Sequence, residues 1–456
     1  MKYSLLLALV WLLVAPAARA SGELAQYVEE PDPAYHWDVL RSGRFAGGDY
    51  LELLLTSQTW RDIEWKHQLY LFRPRHLDTT SRQAFLYIDG GRWNPQYEAG
   101  QNGLPRDSVV FSRLADSLHA VVAVVRQVPF QPMFDRREDA LIAYTFDRYL
   151  ATGDSDWPLL LPMVKAAMRA MDTVQTVAQE RWQLPIERFT ISGASKRGWT
   201  SWLTAAMDPR IAATAPMVID MLNLPEQIRL QKATFGGLSE QVHDYEQIDL
   251  PGRIDSDTGR KLISMVDPYS YRASLTQPKL IVLATNDRYW PLDALSLYWS
   301  GIPEPKRVLY VPNQGHGIHD VQRLMGALSA LHRYSAKGAT LPELHWNFDT
   351  SKGAVNLDVQ SSVRPTRVVA WRASSSTRDF RNAHWSARSC HKTRNSAHCA
   401  TKARANEYVA LYSEATFRDR SAQEFSLSTA VCIIDANGAM VRECLDNPET
   451  PATVAR

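Results

Sequence analysis

The chain has 456 residues, 45% of them hydrophobic and 22% charged, with a formal net charge of +2. That length carries two or three domains. The composition excludes a disordered or fibrous chain, and the near-zero charge excludes an electrostatic case for binding nucleic acid.

Residues 1–20 read as a secretory signal peptide. Lys2 precedes the apolar run LLLALVWLLVAP, and AARA ends at Ala20 with small residues at positions 18 and 20. The run is too short for a membrane-spanning helix, and no later stretch is apolar enough to supply one. Its removal takes away Lys2 and Arg19 and no acid, so the net charge falls from +2 to zero. The expectation is an exported chain, periplasmic or secreted, without a transmembrane anchor.

Eight apolar, β-favouring runs follow between residues 51 and 312: LELLL, LYLF, AFLYID, AVVAVV, RFTIS, APMVID, KLIVLAT and RVLYVP. Amphipathic patterns such as EDALIAYTFDRYL, LPMVKAAMRAMDTVQTVAQE and VQRLMGALSALHRYS separate the later ones. Near-continuous apolar strands alternating with helices predict a mostly parallel eight-stranded sheet covered on both faces, the core of an α/β-hydrolase, over residues 21–340. Residues 221–278, between the sixth and seventh runs, far exceed a minimal crossover. They read as a lid insertion whose Phe235, Tyr245, Tyr269 and Tyr271 are candidates to line a substrate pocket. Past KGATLP the pattern turns to short alternating runs, which predicts a small antiparallel β-sandwich-like domain over 341–456.

All four cysteines, Cys390, Cys399, Cys432 and Cys444, lie in that last part. In an exported chain they predict the sequence-local disulfides Cys390–Cys399 and Cys432–Cys444. CHKTRNSAHC also admits a zinc reading, although it holds no spaced C-x-x-C pair; no metal and no cofactor are expected. With no cysteine in the core, reduction is expected to spare the hydrolase site. From Arg364 to Arg404 there are ten Lys or Arg against one acid, Asp379. Such a stretch is either a solvated basic face or a surface for an anionic envelope polymer.

The chemistry centres on FTISGASKRGW, residues 189–199, where a short strand passes through Gly193 and Ser195 into a helix. A serine on such a bend presents its hydroxyl above a sheet, as in a hydrolase nucleophile elbow, although the second glycine, Gly198, stands one place beyond the G-x-S-x-G spacing. A serine needs a base and a group that orients the base. In this superfamily the acid and then the histidine follow late strands. Asp287 stands two residues beyond the seventh run, and His316 four beyond the eighth, between two glycines. Asp220, at the end of the sixth run, is an alternative acid, and His319 an alternative base. The backbone N–H of Lys196 and the Gly90-Gly91 turn after the third run are candidate oxyanion donors. The Lys196 and Arg197 side chains read either as cations beside the developing charge or as surface residues at a helix start.

SQTWR (57–61), RQVPFQP (126–132), REDALIAYTFDRYL (137–150), ISGASKRGWTSWLTAAMDPRI (191–211), VIDMLN (218–223) and WRASSSTRDFRNAHW (371–385) resemble the PhoPQ-activated pathogenicity-related, or PqaA-type, family. The resemblance covers nearly all of the mature chain. It implies an α/β-hydrolase-like fold with a G-x-S-K-R-G elbow, so the glycine spacing is a family trait. One departure is Phe130, where the family pattern has Asn. A shorter stretch, the G-x-S-x-x-G elbow followed by a cation, is similar to glucuronoyl esterases. The reading is an exported serine hydrolase acting through an acyl-enzyme on a small-molecule, glycan or peptide substrate, with ester and amide both open. The competing reading is a non-catalytic secreted virulence or signalling factor that uses the hydrolase fold for binding.

Overall fold

The computed structural model describes residues 22–45, 47–100, 103–351 and 353–448; residues 1–20, read as the signal peptide, lie outside them. Nine strands form the central part: β1 His36–Phe45, β2 Gly48–Trp60, β3 Ile63–Pro74, β4 Gln83–Ile88, β5 Val122–Val125, β6 Arg188–Ala194, β7 Ile211–Met217, β8 Lys279–Ala284 and β9 Lys306–Val311. Their spatial order is β1-β2-β3-β5-β4-β6-β7-β8-β9. From β5 to β9 all neighbours are parallel, and β1, β2 and β3 pair antiparallel at the start. This is the α/β-hydrolase sheet, with one strand more than the eight apolar runs predict. The extra strand, β1, lies at the edge and buries none of its residues, so it carries no apolar run to announce it.

Helices cover both faces: α1 Glu23–Glu29, α2 Ser108–Leu118, α3 Glu138–Thr152, α4 Leu160–Trp182 and α5 Lys196–Met207, with α10 Val321–Ala336 after β9. Strands β5, β7, β8 and β9 are buried at every position, which is why they read as continuous apolar runs and not as alternations. Between β7 and β8 the insertion folds as helices, α6 Leu224–Phe235, α7 His243–Gln247, α8 Leu250–Arg253 and α9 Asp257–Val266.

From 341 onward the described chain is β throughout: β10 Leu344–Ser351, β11 Ala354–Ser361, β12 Arg367–Ser375, β13 Ser386–Ser389, β14 His391–Lys392, β15 Ser396–Lys402, β16 Tyr408–Arg418, β17 Glu424–Ser428 and β18 Cys432–Ile434. One group, β10-β11-β15-β14, is a separate antiparallel sheet. The other extends the central sheet as β9-β17-β16-β12-β13, through the pair Ser428↔Val308. The seam between the two expected domains therefore runs through a continuous sheet. Its free edge at β9 is covered rather than left open to pairing. Tyr310 of β9 packs on Tyr412 of β16, and Tyr412 on Trp385, at ring separations of 5.5 and 5.3 Å.

Disulfides join Cys390 to Cys399 and Cys432 to Cys444, the sequence-local pairing. The first bond uses the two thiolates that a zinc site in CHKTRNSAHC would need, which removes the zinc reading. Among the described residues no helix is long and apolar enough to cross a membrane.

Candidate active site

Ser195 joins the last residue of β6 to the first of α5, with φ 57° and ψ −127°. A non-glycine residue at positive φ is strained, and such strain recurs at nucleophile elbows. The turn is tight because Gly198 lets α5 press onto its neighbours: a Cβ there would stand 2.9 Å from the Gly193 carbonyl oxygen and 3.0 Å from that of Met217. That close approach is the physical reason for the G-x-S-x-x-G spacing.

Ser195, Asp287 and His316 meet, although each comes from a different loop. Ser195 Oγ lies 2.8 Å from His316 Nε2, and His316 Nδ1 lies 2.9 and 3.0 Å from the Asp287 carboxylate oxygens. Asp287 is buried, and its Oδ1 also accepts the Tyr289 backbone N–H at 2.9 Å. The Tyr289 ring stacks on the imidazole at 4.0 Å. This arrangement fixes the imidazole plane from one edge and one face.

The alternatives fall elsewhere. Asp220 is buried below the site and accepts the Tyr298 hydroxyl at 2.6 Å. Burial, opposed by that hydrogen bond and reinforced by the Asp287 charge, pushes its carboxyl up to about 8. His319 is exposed, and its backbone N–H donates to Gln314 Oε1.

Neither cation after the serine is a surface residue. Lys196 Nζ lies 2.7 Å from Asp139 Oδ2, and Arg197 makes a forked pair with Glu138 at 2.7 and 2.9 Å while donating from Nε to the Val128 carbonyl. Although partial burial opposes it, hydrogen bonding and the charge of Arg197 hold the Glu138 carboxyl down at about 2. Arg197 also accounts for Gly90, where a Cβ would stand 2.4 Å from a guanidinium nitrogen. The elbow helix thereby clamps the turn after β4. Gly90 N–H donates to the Asp89 carboxylate at 2.8 Å, which removes it from the oxyanion candidates. Gly91 then represents this turn, its carbonyl held by Gln131 Nε2 at 3.1 Å. Lys196 N–H sits at the first position of α5, where a helix leaves its N–H groups without intrahelical acceptors. Phe130, the departure from the family pattern, packs against Trp93.

Asp139 was missed from sequence and is the hub of the polar wall. It receives Lys196 from the elbow, Tyr289 from the loop of Asp287, and Tyr245 of α7 at 3.0 Å. The signal was present in REDALIAYTFDRYL, where Glu138 and Asp139 open a helix beside a basic elbow. Ser195, Lys196 and His316 line a cavity of about 710 Å³, its mouth included, together with Phe146, Trp199, Ile219 and the insertion residues Leu224, Ile228 and Tyr245. Of the other insertion aromatics, Phe235 lines an adjoining pocket with Asp287, Tyr271 donates its hydroxyl to the Met265 carbonyl, and Tyr269 packs against Gly301.

The C-terminal part reaches this site as well. Asn286, beside Asp287, donates to the Ala383 carbonyl at 2.7 Å, and Asn313 exchanges two hydrogen bonds with the backbone of Trp385, at 2.8 and 2.9 Å. Arg381 lies 2.7 Å from Glu240 of the insertion and covers the Phe235 ring. Part of the basic stretch is thus turned inward, whereas Arg388, Arg394, Lys402 and Arg404 are exposed.

A family model described as PhoPQ-activated pathogenicity-related protein matches residues 24–381. The chain is 30% identical over 400 residues to autocrine proliferation repressor protein A of Dictyostelium discoideum, covering 82% of this chain and 79% of that one. Among solved structures it is similar to an acetyl xylan esterase from Paenibacillus sp. R4, with TM-score 0.45, 13% identity, and 65% and 86% of the two chains covered. It is also similar to acetyl xylan esterase 1 from Thermoanaerobacterium sp. JW/SL YS485, with TM-score 0.44, 15% identity, and 65% and 88% covered.

Proposed function

The chain belongs to the PhoPQ-activated pathogenicity-related family, and from that premise we infer that it is an exported serine hydrolase that cleaves a small-molecule, glycan or peptide substrate through an acyl-enzyme. Ser195 Oγ attacks the acyl carbon while His316 Nε2 takes its proton. Asp287 holds the Nδ1–H and stabilises the imidazolium. The N–H groups of Lys196 and Gly91 receive the oxyanion, and His316 returns the proton to the leaving group. Water then enters by the same route and frees the acid. The observation that carries this reading is the hydrogen-bond chain from Ser195 through His316 to Asp287, built on a serine at φ 57°. The two disulfides support export to an oxidising compartment. The outward cations around Arg394 support contact with an anionic envelope polymer.

A fluorophosphonate probe tests the reading on the purified mature chain. Labelling of wild type and none of Ser195→Ala is expected, and equal labelling of both would overturn it. A second reading, a secreted signalling factor that binds without cleaving, is favoured by the name of the Dictyostelium relative. It requires Ser195→Ala to retain the chain's biological effect.

A further inference from the structure

The cavity beside Ser195 is walled mostly by carbon, yet one of its polar groups is left without a partner. Gln227, on α6, is fully buried and lines the cavity. Its Nε2 is used, donating to the Leu222 carbonyl at 3.1 Å and reaching the Ala294 carbonyl at 3.5 Å. Its Oε1 is buried with no hydrogen-bond donor among the described residues. Trp290, which lines both this cavity and the adjoining pocket, carries an indole N–H that is also buried, with no acceptor among the described residues. A buried acceptor left unmade costs about 1–3 kcal/mol, and native folds rarely leave one without a reason. An apolar pocket with few placed polar groups is how a site orients a ligand.

Resting on the hydrolase reading above, we propose that this pocket holds the acyl half of the substrate, and that the acyl group has an apolar body carrying a hydroxyl, which donates to Gln227 Oε1. The acyl half is assigned because it stays bonded to Ser195, which itself lines the cavity, after the alcohol has left. A hydroxyl is assigned because it can donate to Gln227 Oε1, which a plain alkyl or phenyl group cannot. The apolar body packs between Phe146 and Trp199 of the core and Leu224 and Ile228 of the insertion.

The test uses matched ester pairs with one common leaving group: phenylpropanoyl against its para-hydroxyphenyl counterpart, and hexanoyl against its terminal-hydroxy counterpart. A site that hydrogen-bonds a substrate hydroxyl discriminates strongly against the analogue lacking it. In wild type kcat/KM is expected to be at least about tenfold higher for the hydroxylated member of one pair, a gain of roughly 1.4 kcal/mol. Gln227→Leu keeps the volume and removes the acceptor, so the preference should reverse. Equal rates within both pairs in wild type would overturn the proposal and assign a bound water to Gln227. So would a preference that follows the alcohol half when that half is varied instead. Binding of the corresponding methyl esters to Ser195→Ala, read by tryptophan fluorescence, separates the two levels. Selective binding without fluorophosphonate labelling of wild type would sink the hydrolase reading and keep the pocket's specificity. Labelling without selectivity would sink the specificity alone.

Discussion

Replacing Asn286 and Asn313 together by alanine removes the hydrogen bonds by which residues 380–385 hold the two loops that carry Asp287 and His316. Three of these bonds are 2.7–2.9 Å long and end on backbone groups. At about 0.5–1.5 kcal/mol each, and with the freed backbone groups partly buried, the pair should cost about 1.5–4.5 kcal/mol of stability. The effect on catalysis has a different origin. Asn286 is one residue from Asp287 and Asn313 three from His316, so loosening them lets the base drift from Ser195. A displacement near 1 Å costs on the order of a hundredfold in rate. The expected outcome is a kcat lower by roughly 10- to 100-fold with KM within about threefold. It is measured on an aryl ester well below the onset of unfolding, as followed by circular dichroism. A variant that unfolds earlier yet keeps wild-type kcat per folded molecule would refute the reasoning and leave the contact a purely structural one. The same contact changes the expectation for disulfide reduction. Residues 378–385 lie close before Cys390, so a loosened C-terminal part should lower kcat as well as stability.

Ser195→Ala and His316→Ala should each lower turnover by about 10⁴- to 10⁶-fold, and Asp287→Asn by about 10⁴-fold, in steady-state assays of folded protein. Asp220→Asn should stay within about threefold of wild type at neutral pH, because Asn reproduces a carboxyl already protonated there and can still accept the Tyr298 hydroxyl. Since the folded carboxyl titrates at about 8, above its ordinary 3.8, its contribution to stability is lost as pH rises through 8, and the variant should resist that loss in a melting-temperature series. Acid acts through His332, which burial lowers from 6.5 to about 3, and through His67, whose burial, opposed by hydrogen bonds to backbone, lowers it to about 4. The unfolded chain takes up those protons first, so stability should fall from pH 6.5 downward by about 3 kcal/mol at pH 4 for each histidine, and His67→Gln should flatten the acid limb of urea unfolding. Replacing residues 235–255 by a short Gly/Ser linker removes Tyr245 and Val242 from the cavity wall. It should reorder preferences across an ester and peptide panel while probe labelling of Ser195 persists; an unchanged ranking would place specificity outside this segment, in the α6 wall around Gln227 or the Gly91-Arg92-Trp93 turn.

Which parts of this molecule could be read from sequence follows from the range of the interactions that define them. Strands β2 to β9 were legible because burial on both faces writes itself as an apolar run, and β1 was not because it is half wet. The meeting of Ser195, Asp287 and His316 was legible because each stands at a fixed short distance past a strand end, so local spacing carries the information. Nothing local distinguishes a surface Lys196 from one buried against Asp139, 57 residues earlier, and nothing in EFSLS says that Ser428 will pair with Val308. Those contacts are set by how helices and sheets pack, and they are the ones that hold the histidine. His316 is gripped at Nδ1 by Asp287 and across its face by Tyr289, which Asp139 anchors in turn. Its loop is tied through Asn313 to Trp385, which packs on Tyr412 of the extended sheet. The insertion is bound into the same assembly by Tyr245 on Asp139, by Arg381 on Glu240 and by Ser239 on the Arg288 carbonyl. The hydrogen-bonded arrangement of Ser195, His316 and Asp287, drawn from loops of three strands, thus depends on a C-terminal segment. That is a physical reason for the family match to run on to residue 381, past the last parallel strand.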